Sequence, residues 1–353
     1  MSEKTRLLTG DTPTGRLHLG HWVGSLENRV TLQQEYDSYF LIANIHAFTT
    51  RAHQPETIHD SVIDILLDYL AGGIDPQQST ICLQSDIPAL AEFTYFLSML
   101  LPFSRVLRNP TIKDEIRDKN LGDHYSFGFL LYAVGQVADI LAFRPDIIPV
   151  GEDQIPHIEM TREVARRFNQ LYCGVDPQAA DDDHIAQGGL FPIPTAKLGR
   201  GKRLVGTGGP GKHGQLLKMS KSLNNAILLS DDPDTIKKKI MAMYTDPNRL
   251  KATDKGSVEN NPLWIFHNIF NPDTDWVKAA EDRYRNGDIG DVECKRKLID
   301  VLVELIEPMR QRRHLFEQDM AQSLQILRDG SEKARDITQQ TLQLAKKNMQ
   351  QLF

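Results

Sequence analysis

The segment from Arg6 to Phe48 constrains the fold more than any other part of the chain. It reads "RLLTG", a glycine-rich turn "DTPTGRLHLGH", a helical pattern from Leu19 to about Tyr36, and the apolar run "SYFLIANIHAF". This is a strand, turn, helix, strand unit, and a helical crossover joins strands that lie parallel. The run from Ser38 to Phe48 is apolar enough to be one strand covered on both faces. The chain is therefore expected to be α/β, with its first strand feeding a phosphate-sized turn.

The alternation continues. A helix opens at Pro55 and stops at Gly72-Gly73, followed by the strand "STICLQS" and the helix "PALAEFTYFLSMLLP". From Ser126 to Phe143 a largely apolar helix carries Tyr132, Gln136 and Asp139, whose spacings of four and three put them on one face. "DIIPVGEDQ" reads as strand into turn, and "IPHIEMTREVARRFNQLY" as a further helix. Between Gly189 and Gly214 glycine, proline and basic residues crowd together, too broken for a helix, and the segment is expected to be a mobile loop region. After Asp232-Pro233, an N-cap and first-turn pair, nearly everything reads helical. A boundary near Ser230 separates residues 1–230 from a helical domain at 231–353.

With 353 residues and 40% hydrophobic content, one large domain and a smaller one can each bury a core. No apolar run approaches the ~20 residues of a membrane span, and the N-terminus lacks a signal-peptide core, so no membrane association and a cytoplasmic protein are expected. Cys82, Cys173 and Cys294 are far apart, which supports neither a disulfide framework nor a cysteine metal site. The net charge of -6 argues against a phosphate-coated surface, yet basic clusters occur at Ile236 to Lys255, Met309 to His314 and Lys346-Lys347.

His18 and His21 sit three apart in the glycine-rich turn. A metal would need further ligands, and no cysteine or suitably spaced glutamate accompanies them. A turn that opens a helix presents free N–H groups and the positive end of a dipole, so a phosphate cradle with imidazole donors fits better; packed core histidines are the other reading. "KMSKS", Lys218 to Ser222, brings two lysines on a glycine-flanked loop that can close on a polyphosphate, although alone it is an ordinary solvated loop.

"HLGH" followed by "KMSKS" on an α/β frame resembles the class I aminoacyl-tRNA synthetases. "TPTGRLHLGHWVG", "YLAGGIDP", "VGEDQIPHIEMTREVARRFN" and "KMSKSLNNAILLSDDPDTIKKKI" resemble their tryptophanyl branch, from about Leu7 to Asn248 and more loosely beyond. The resemblance implies a Rossmann-type catalytic domain with a helical insertion and dimer interface at about 100–145, and a C-terminal anticodon-recognition domain. It also implies a homodimer that activates L-tryptophan with ATP, carries Mg²⁺ on the ATP phosphates rather than in a protein cage, and charges tRNA(Trp). The basic C-terminal clusters would touch tRNA phosphates.

By position, Thr12, Pro13, Thr14, Gly20 and His21 would meet ATP with His18 beside them, and Lys218, Met219, Ser220, Lys221 and Ser222 would close over it. His18, His21, Lys218 and Lys221 would carry the catalytic charge. Gly151, Glu152 and Asp153 would serve the ribose end, Leu204 the adenine, and a lysine near Lys113 the phosphates. Asp139 would accept the indole N–H, with Tyr132, Gln136, Gln154 and His46 lining the amino-acid pocket, His46 from the second strand. Gln136 three residues before Asp139 is also a tyrosyl-enzyme pattern. A tyrosyl enzyme, a smaller nucleotidyltransferase with an HxGH turn and a non-charging regulatory paralogue stand as alternatives.

Overall fold

The structure is a computed structural model that describes residues 4–118, 121–122, 124–198, 204–211, 214–246, 249, 251 and 253–353. Strand β1 (Arg6–Asp11) leads through the glycine-rich turn into a helical rod, α1, made of Leu19–His21, a π-helical turn Trp22–Leu26 and Glu27–Leu32. Strand β2 (Asp37–Ile42) pairs parallel with β1, and the chain then turns helical as α2 (Asn44–Arg51). The expected strand from Ser38 to Phe48 therefore ends at Ile42, and His46 lies on a helix rather than on the second strand. The cause is not local: Ala43 cannot cap a helix, and the Gln84 carboxamide oxygen accepts the N–H groups of Ile45 (3.0 Å) and His46 (3.3 Å) instead.

Helix α3 (Pro55–Gly72) begins with proline and ends on Gly73 at φ 109°, the expected asymmetry of helix ends. It is followed by β3 (Ser79–Leu83), α4 (Ala89–Ser98), α5 (Phe103–Leu107), α6 (Pro110–Asp118), α7 (Phe127–Phe143), β4 (Ile147–Val150) and α8 (Ile155–Cys173). The segment expected to be a mobile loop region contains β5 (Thr195–Leu198), which pairs parallel with β4, and β6 (Val205–Pro210), which pairs antiparallel with β7 (Leu216–Lys218). No residue of β5 is buried, so the strand shows no apolar run and is defined only by its distant partner.

The main sheet has the order β3-β2-β1-β4-β5, with every pair parallel. This is the Rossmann-type order in which consecutive crossovers reverse direction between β1 and β4, opening a crevice at their carboxyl ends. One apolar cluster joins the sheet to α3 and to the C-terminal helices through Leu298, Leu302 and Ile306. The other joins the opposite face to α4, α7, α8 and, through Ala334, Leu342 and Ala345, to the last helix.

The remaining helices are α9 (Pro233–Met241, capped by Asp232), α10 (Pro262–Phe270), α11 (Thr274–Asn286), α12 (Asp291–Gln318) and α13 (Met320–Asn348). Helix α13 returns to cover the edge strand β3. A Cβ on Gly330 would lie 2.0 Å from the Ile81 carbonyl oxygen, and Ser331 Oγ accepts the Leu83 N–H at 2.9 Å. Glycine lets the helix backbone approach the strand, and the contact covers an edge that would otherwise pair with other chains.

Candidate active site

A cavity of about 610 Å³ opens at the carboxyl ends of β1 and β4, lined by Gly10 to Thr12 from one strand end and Pro149 to Gly151 from the other. It lies at the switch point that the strand order creates. Along one wall stands the turn bearing the two histidines. His18 is the N-cap of α1: its Nδ1 accepts the Gly20 N–H at 3.1 Å, while its own N–H donates to His21 Nδ1 at 3.1 Å. The rings stack with centroids 3.8 Å apart.

With both Nδ1 atoms accepting, each neutral ring carries its proton on Nε2 and offers one N–H donor. Burial, the neighbouring ring and Lys221 push the His18 pKa down to about 3. Burial lowers His21 to about 4, with Asp11 opposing and Lys221 and Arg29 assisting. Gly20 is needed for this packing, since a Cβ there would meet the His18 ring at 2.9 Å.

The lysine loop reaches the same turn. His18 bridges to Leu228, the Leu19 N–H donates to Ile227 O at 2.9 Å, and the Leu229 N–H donates to Leu17 O at 3.0 Å. Lys221 Nζ donates to the carbonyls of Thr14 and Arg16, both at 2.8 Å, and burial lowers its pKa. Asn225 brackets the loop, accepting from Ser220 N at 2.7 Å and donating to Lys218 O at 3.0 Å; Met219 N–H donates to Leu204 O at 3.0 Å. Segments two hundred residues apart are thus joined, with the loop behind the turn. His18, Lys218, Met219, Ser220, Lys221, Ser222, Leu204, Pro13 and Glu152 do not line the cavity, whereas Thr12, Thr14, Gly20, His21, Gly151, Asp153 and Gln154 do.

The other end of the cavity is the α7 face. Tyr132, Gln136 and Asp139 all line it, as does His46 from α2. Asp139 accepts from Gln84 Nε2 at 2.8 Å and lies 3.4 Å from His46 Nε2. Burial raises the Asp139 pKa to about 7 against the Gln84 hydrogen bond, and burial lowers His46 to about 4 against the Glu115 charge. The Tyr132 hydroxyl lies 3.4 Å from His157 Nε2 and also bonds Glu115. Gln136 donates to Gln154 Oε1 at 3.3 Å, and Gln154 donates to Asp153 Oδ2 at 3.0 Å. A Cβ at Gly151 would come within 2.8 Å of Asp153 Oδ1, so any larger residue there would push the Asp153 carboxylate aside.

Several wall residues have no local sequence signal. Asp11 is held by Arg29 at 2.7 and 3.2 Å and by the Tyr69 hydroxyl at 2.6 Å. Burial favours its neutral form, yet the Arg29 charge and these bonds keep its pKa below the usual value. Glu115 and Arg51 also line the cavity, while Lys113, exposed on α6, does not. Gln84 and His157 act through partners far away in sequence, while Asn225 brackets a loop only five to seven residues before it. Only an i to i+4 reading of α6 or α1 could have flagged Glu115 or Arg29, and neither helix shows a motif.

Most basic residues expected to touch tRNA are engaged within the chain. Arg310 pairs with Glu307, Arg312 donates to Ala71 O, and Arg313 pairs with Asp64, Asp68 and Glu317. Lys346 pairs with Glu92, Lys239 with Asp231 and Arg249 with Asp291. Lys237, Lys238 and Lys347 are exposed. Among the described residues no helix is long and apolar enough to cross a membrane.

The family model "tRNA synthetases class I (W and Y)" matches residues 1–307. The chain is 46% identical over 344 residues to the tryptophan–tRNA ligase of Clostridium longisporum, covering 96% of this chain and 95% of that protein. It is 44% identical over 353 residues to the tryptophan–tRNA ligase of Streptococcus pyogenes serotype M3, covering 98% of each. The crystal structure of tryptophanyl-tRNA synthetase from Campylobacter jejuni complexed with ADP and tryptophan superposes with a TM-score of 0.81 at 29% identity, over 98% of this chain and 100% of that one. With sequence, sheet order and the meeting of the two ATP signatures in agreement, the chain belongs to the class I aminoacyl-tRNA synthetases, in their tryptophanyl-tRNA synthetase family.

Proposed function

We propose that the cavity makes tryptophanyl-adenylate from L-tryptophan and ATP and passes the aminoacyl group to tRNA(Trp). The observation that carries this reading is the histidine turn, backed by Lys221, whose His21 lines one end of a cavity with a buried carboxylate, Asp139, at the other. Attack of a carboxylate on the α-phosphate needs in-line placement and charge neutralisation, with no enzyme nucleophile. The two Nε2–H donors would meet phosphate oxygens, and Lys218 and Lys221 would meet the pyrophosphate as it leaves.

The turn offers donors, which suit anions rather than a cation. Mg²⁺ would therefore arrive on the ATP phosphates, neutralising their charge. Asp153 would accept from ribose hydroxyls, and Leu204 with the Met219 backbone would border adenine.

Tryptophan would lie along α7 with its indole N–H on Asp139. Asp139 is fixed by Gln84, and a substrate without a donor would give this buried carboxylate no bond beyond those the protein supplies. Glu115, the Tyr132 hydroxyl and Gln154 form an acceptor corner suited to the ammonium group. Amino-acid-dependent exchange of pyrophosphate into ATP tests the assignment: exchange with tryptophan and not with tyrosine is expected, and the reverse preference would overturn it.

The same reading places tRNA along residues 231–353, with Lys237, Lys238 and Lys347 as phosphate contacts, and the enzyme in the cytoplasm. Tyr95, Phe103 and Phe127 on α4, α5 and α7, and Met99 just after α4, are 62–75% exposed. Such a set of apolar side chains supports a homodimer interface there. Sedimentation of wild type and Phe127→Glu reads it, with a dimer expected for the first and a shift toward monomer for the second.

A further inference from the structure

The turn that holds His18 is anchored from behind by two carboxylates of α3. Asp68 Oδ2 accepts the Leu17 N–H at 2.6 Å, and Asp64 Oδ1 accepts from Arg16 Nε at 3.2 Å. The same carboxylates meet one guanidinium from α12, almost 250 residues on. Arg313 donates to Asp68 Oδ1, and to Asp64 Oδ1 at 2.8 Å, while its Nε donates to Glu317 Oε1 at 2.9 Å. The side chains of Arg313 and Asp68 are 4% and 1% exposed.

A pair that merely fastened α12 to α3 would need only the guanidinium and a carboxylate. Here the second oxygen of Asp68 carries the backbone of the residue before His18, and Lys221 bonds the carbonyls of Thr14 and Arg16 in the same turn. Burial raises the Asp68 pKa to about 6, opposed by Arg313 and by the Leu17 N–H. Without the guanidinium the carboxylate has less reason to stay charged or to keep one orientation.

We propose that Arg313 is a positioning residue for ATP: it fixes Asp68, Asp68 fixes the Leu17 N–H, and the turn thereby aims the His18 and His21 donors. Helix α12, in the C-terminal region that the proposed function assigns to the tRNA side, is in this way wired to the nucleotide end of the cavity and not to the amino-acid end. The inference rests on the assignment of the turn to ATP. It concerns ATP affinity and geometry, because Arg313 itself touches no substrate.

Steady-state pyrophosphate exchange on the full-length enzyme tests it with Arg313→Met, Arg313→Lys and His21→Ala, alongside thermal unfolding. Arg313→Met is expected to raise KM for ATP by about tenfold and to change KM for tryptophan by less than about twofold; Arg313→Lys, keeping the charge without the fork, should recover part of the loss. A lowered melting temperature with both KM values unchanged, or both raised together, would overturn it and leave a structural ion pair. Should Arg313→Met not fold, Asp68→Asn replaces it: a selective rise in KM for ATP supports the link, and an unchanged KM overturns it. His21→Ala separates the two levels. If it raises KM for ATP while the Arg313 variants do not, only the link fails; if it too leaves KM for ATP unchanged, the ATP assignment of the turn fails.

Discussion

The two ATP signatures differ in how they are held. "HLGH" is built into the first turn of α1, where both Nδ1 atoms are occupied by backbone N–H groups and both rings are kept neutral. "KMSKS" is held by Asn225 and by two bonds from Lys221 to carbonyls of the turn. On the proposed function the histidine donors are already aimed by backbone bonds, whereas Lys221 would exchange carbonyl partners for phosphate. One half of the clamp is preorganised and the other is poised to exchange, which suits a charge needed chiefly when pyrophosphate leaves.

The largest test of that division is Lys221→Ala. If the lysine acts on developing charge, adenylate formation should slow by roughly 10²–10³-fold, as for loss of one preorganised donor, while tryptophan binding is unchanged. Single-turnover kinetics with equilibrium tryptophan binding would decide; equal losses in both would end the distinction. Gly20→Ala attacks the fixed half. Its Cβ would stand 2.9 Å from the His18 Nδ1 and Cε1 atoms, so the ring must turn away. A fall of about 10-fold to 10²-fold in kcat/KM for ATP is expected, because misplacement of about 1 Å costs that much. An unchanged value would show that the turn tolerates re-aiming and is not preorganised.

The frame that carries both halves was readable where periodicity is local. The first strand, the helices from Pro55 and Ser126 and the strand-to-turn at Asp146 to Gln154 need only neighbouring residues to declare themselves. The chain misleads where a distant group decides. Residues after Ile42 look like more strand, yet Gln84 caps them into a helix and moves His46 to the cavity from a different element. Strand β5 has an exposed, polar pattern and exists by pairing with β4. In the same way Asp11 gave no signal, because its charge depends on Arg29 and Tyr69 arriving from two helices. Motif residues reported the chemistry; the groups that orient them from afar, Gln84 and Asp68, are polar residues whose partners only the fold supplies.

Asn225→Ala is a smaller test of the exchanging half. It removes the acceptor for Ser220 N–H and the donor to Lys218 O, each bond worth about 0.5–1.5 kcal/mol net. About a tenfold fall in kcat/KM for ATP is expected with only a modest fall in Tm, since Asn225 is buried beside Met219 of the core and loses two bonds there. A marked loss of Tm with normal ATP kinetics would assign Asn225 to folding rather than to the clamp.

The mildest test is pH. His18 and His21 titrate at about 3 and 4 when folded, against an ordinary value near 6.5. Between those values the unfolded chain binds protons that the folded turn does not. Stability from this source is therefore fully present above about 6.5 and is lost as pH falls toward 4 and then 3. Burial lowers His46 and His157 to about 4 as well and adds in the same direction. Asp68 and Asp139, raised by burial to about 6 and about 7, act oppositely: their burial is least costly below the ordinary carboxylate range and weakens the fold as pH rises through 6 and 7. With His267, also lowered by burial to about 4, five such histidines among the described residues outnumber the two acids, so the urea midpoint should fall from pH 6.5 to 5, and less steeply in a His18→Asn, His21→Asn double variant. Over pH 6 to 8 the histidine donors do not titrate, and kcat/KM for ATP should show no histidine limb. A limb near 6.5 that vanished in His18→Asn would mean the ring is free to protonate, and the contrast between a fixed turn and an exchanging loop would collapse.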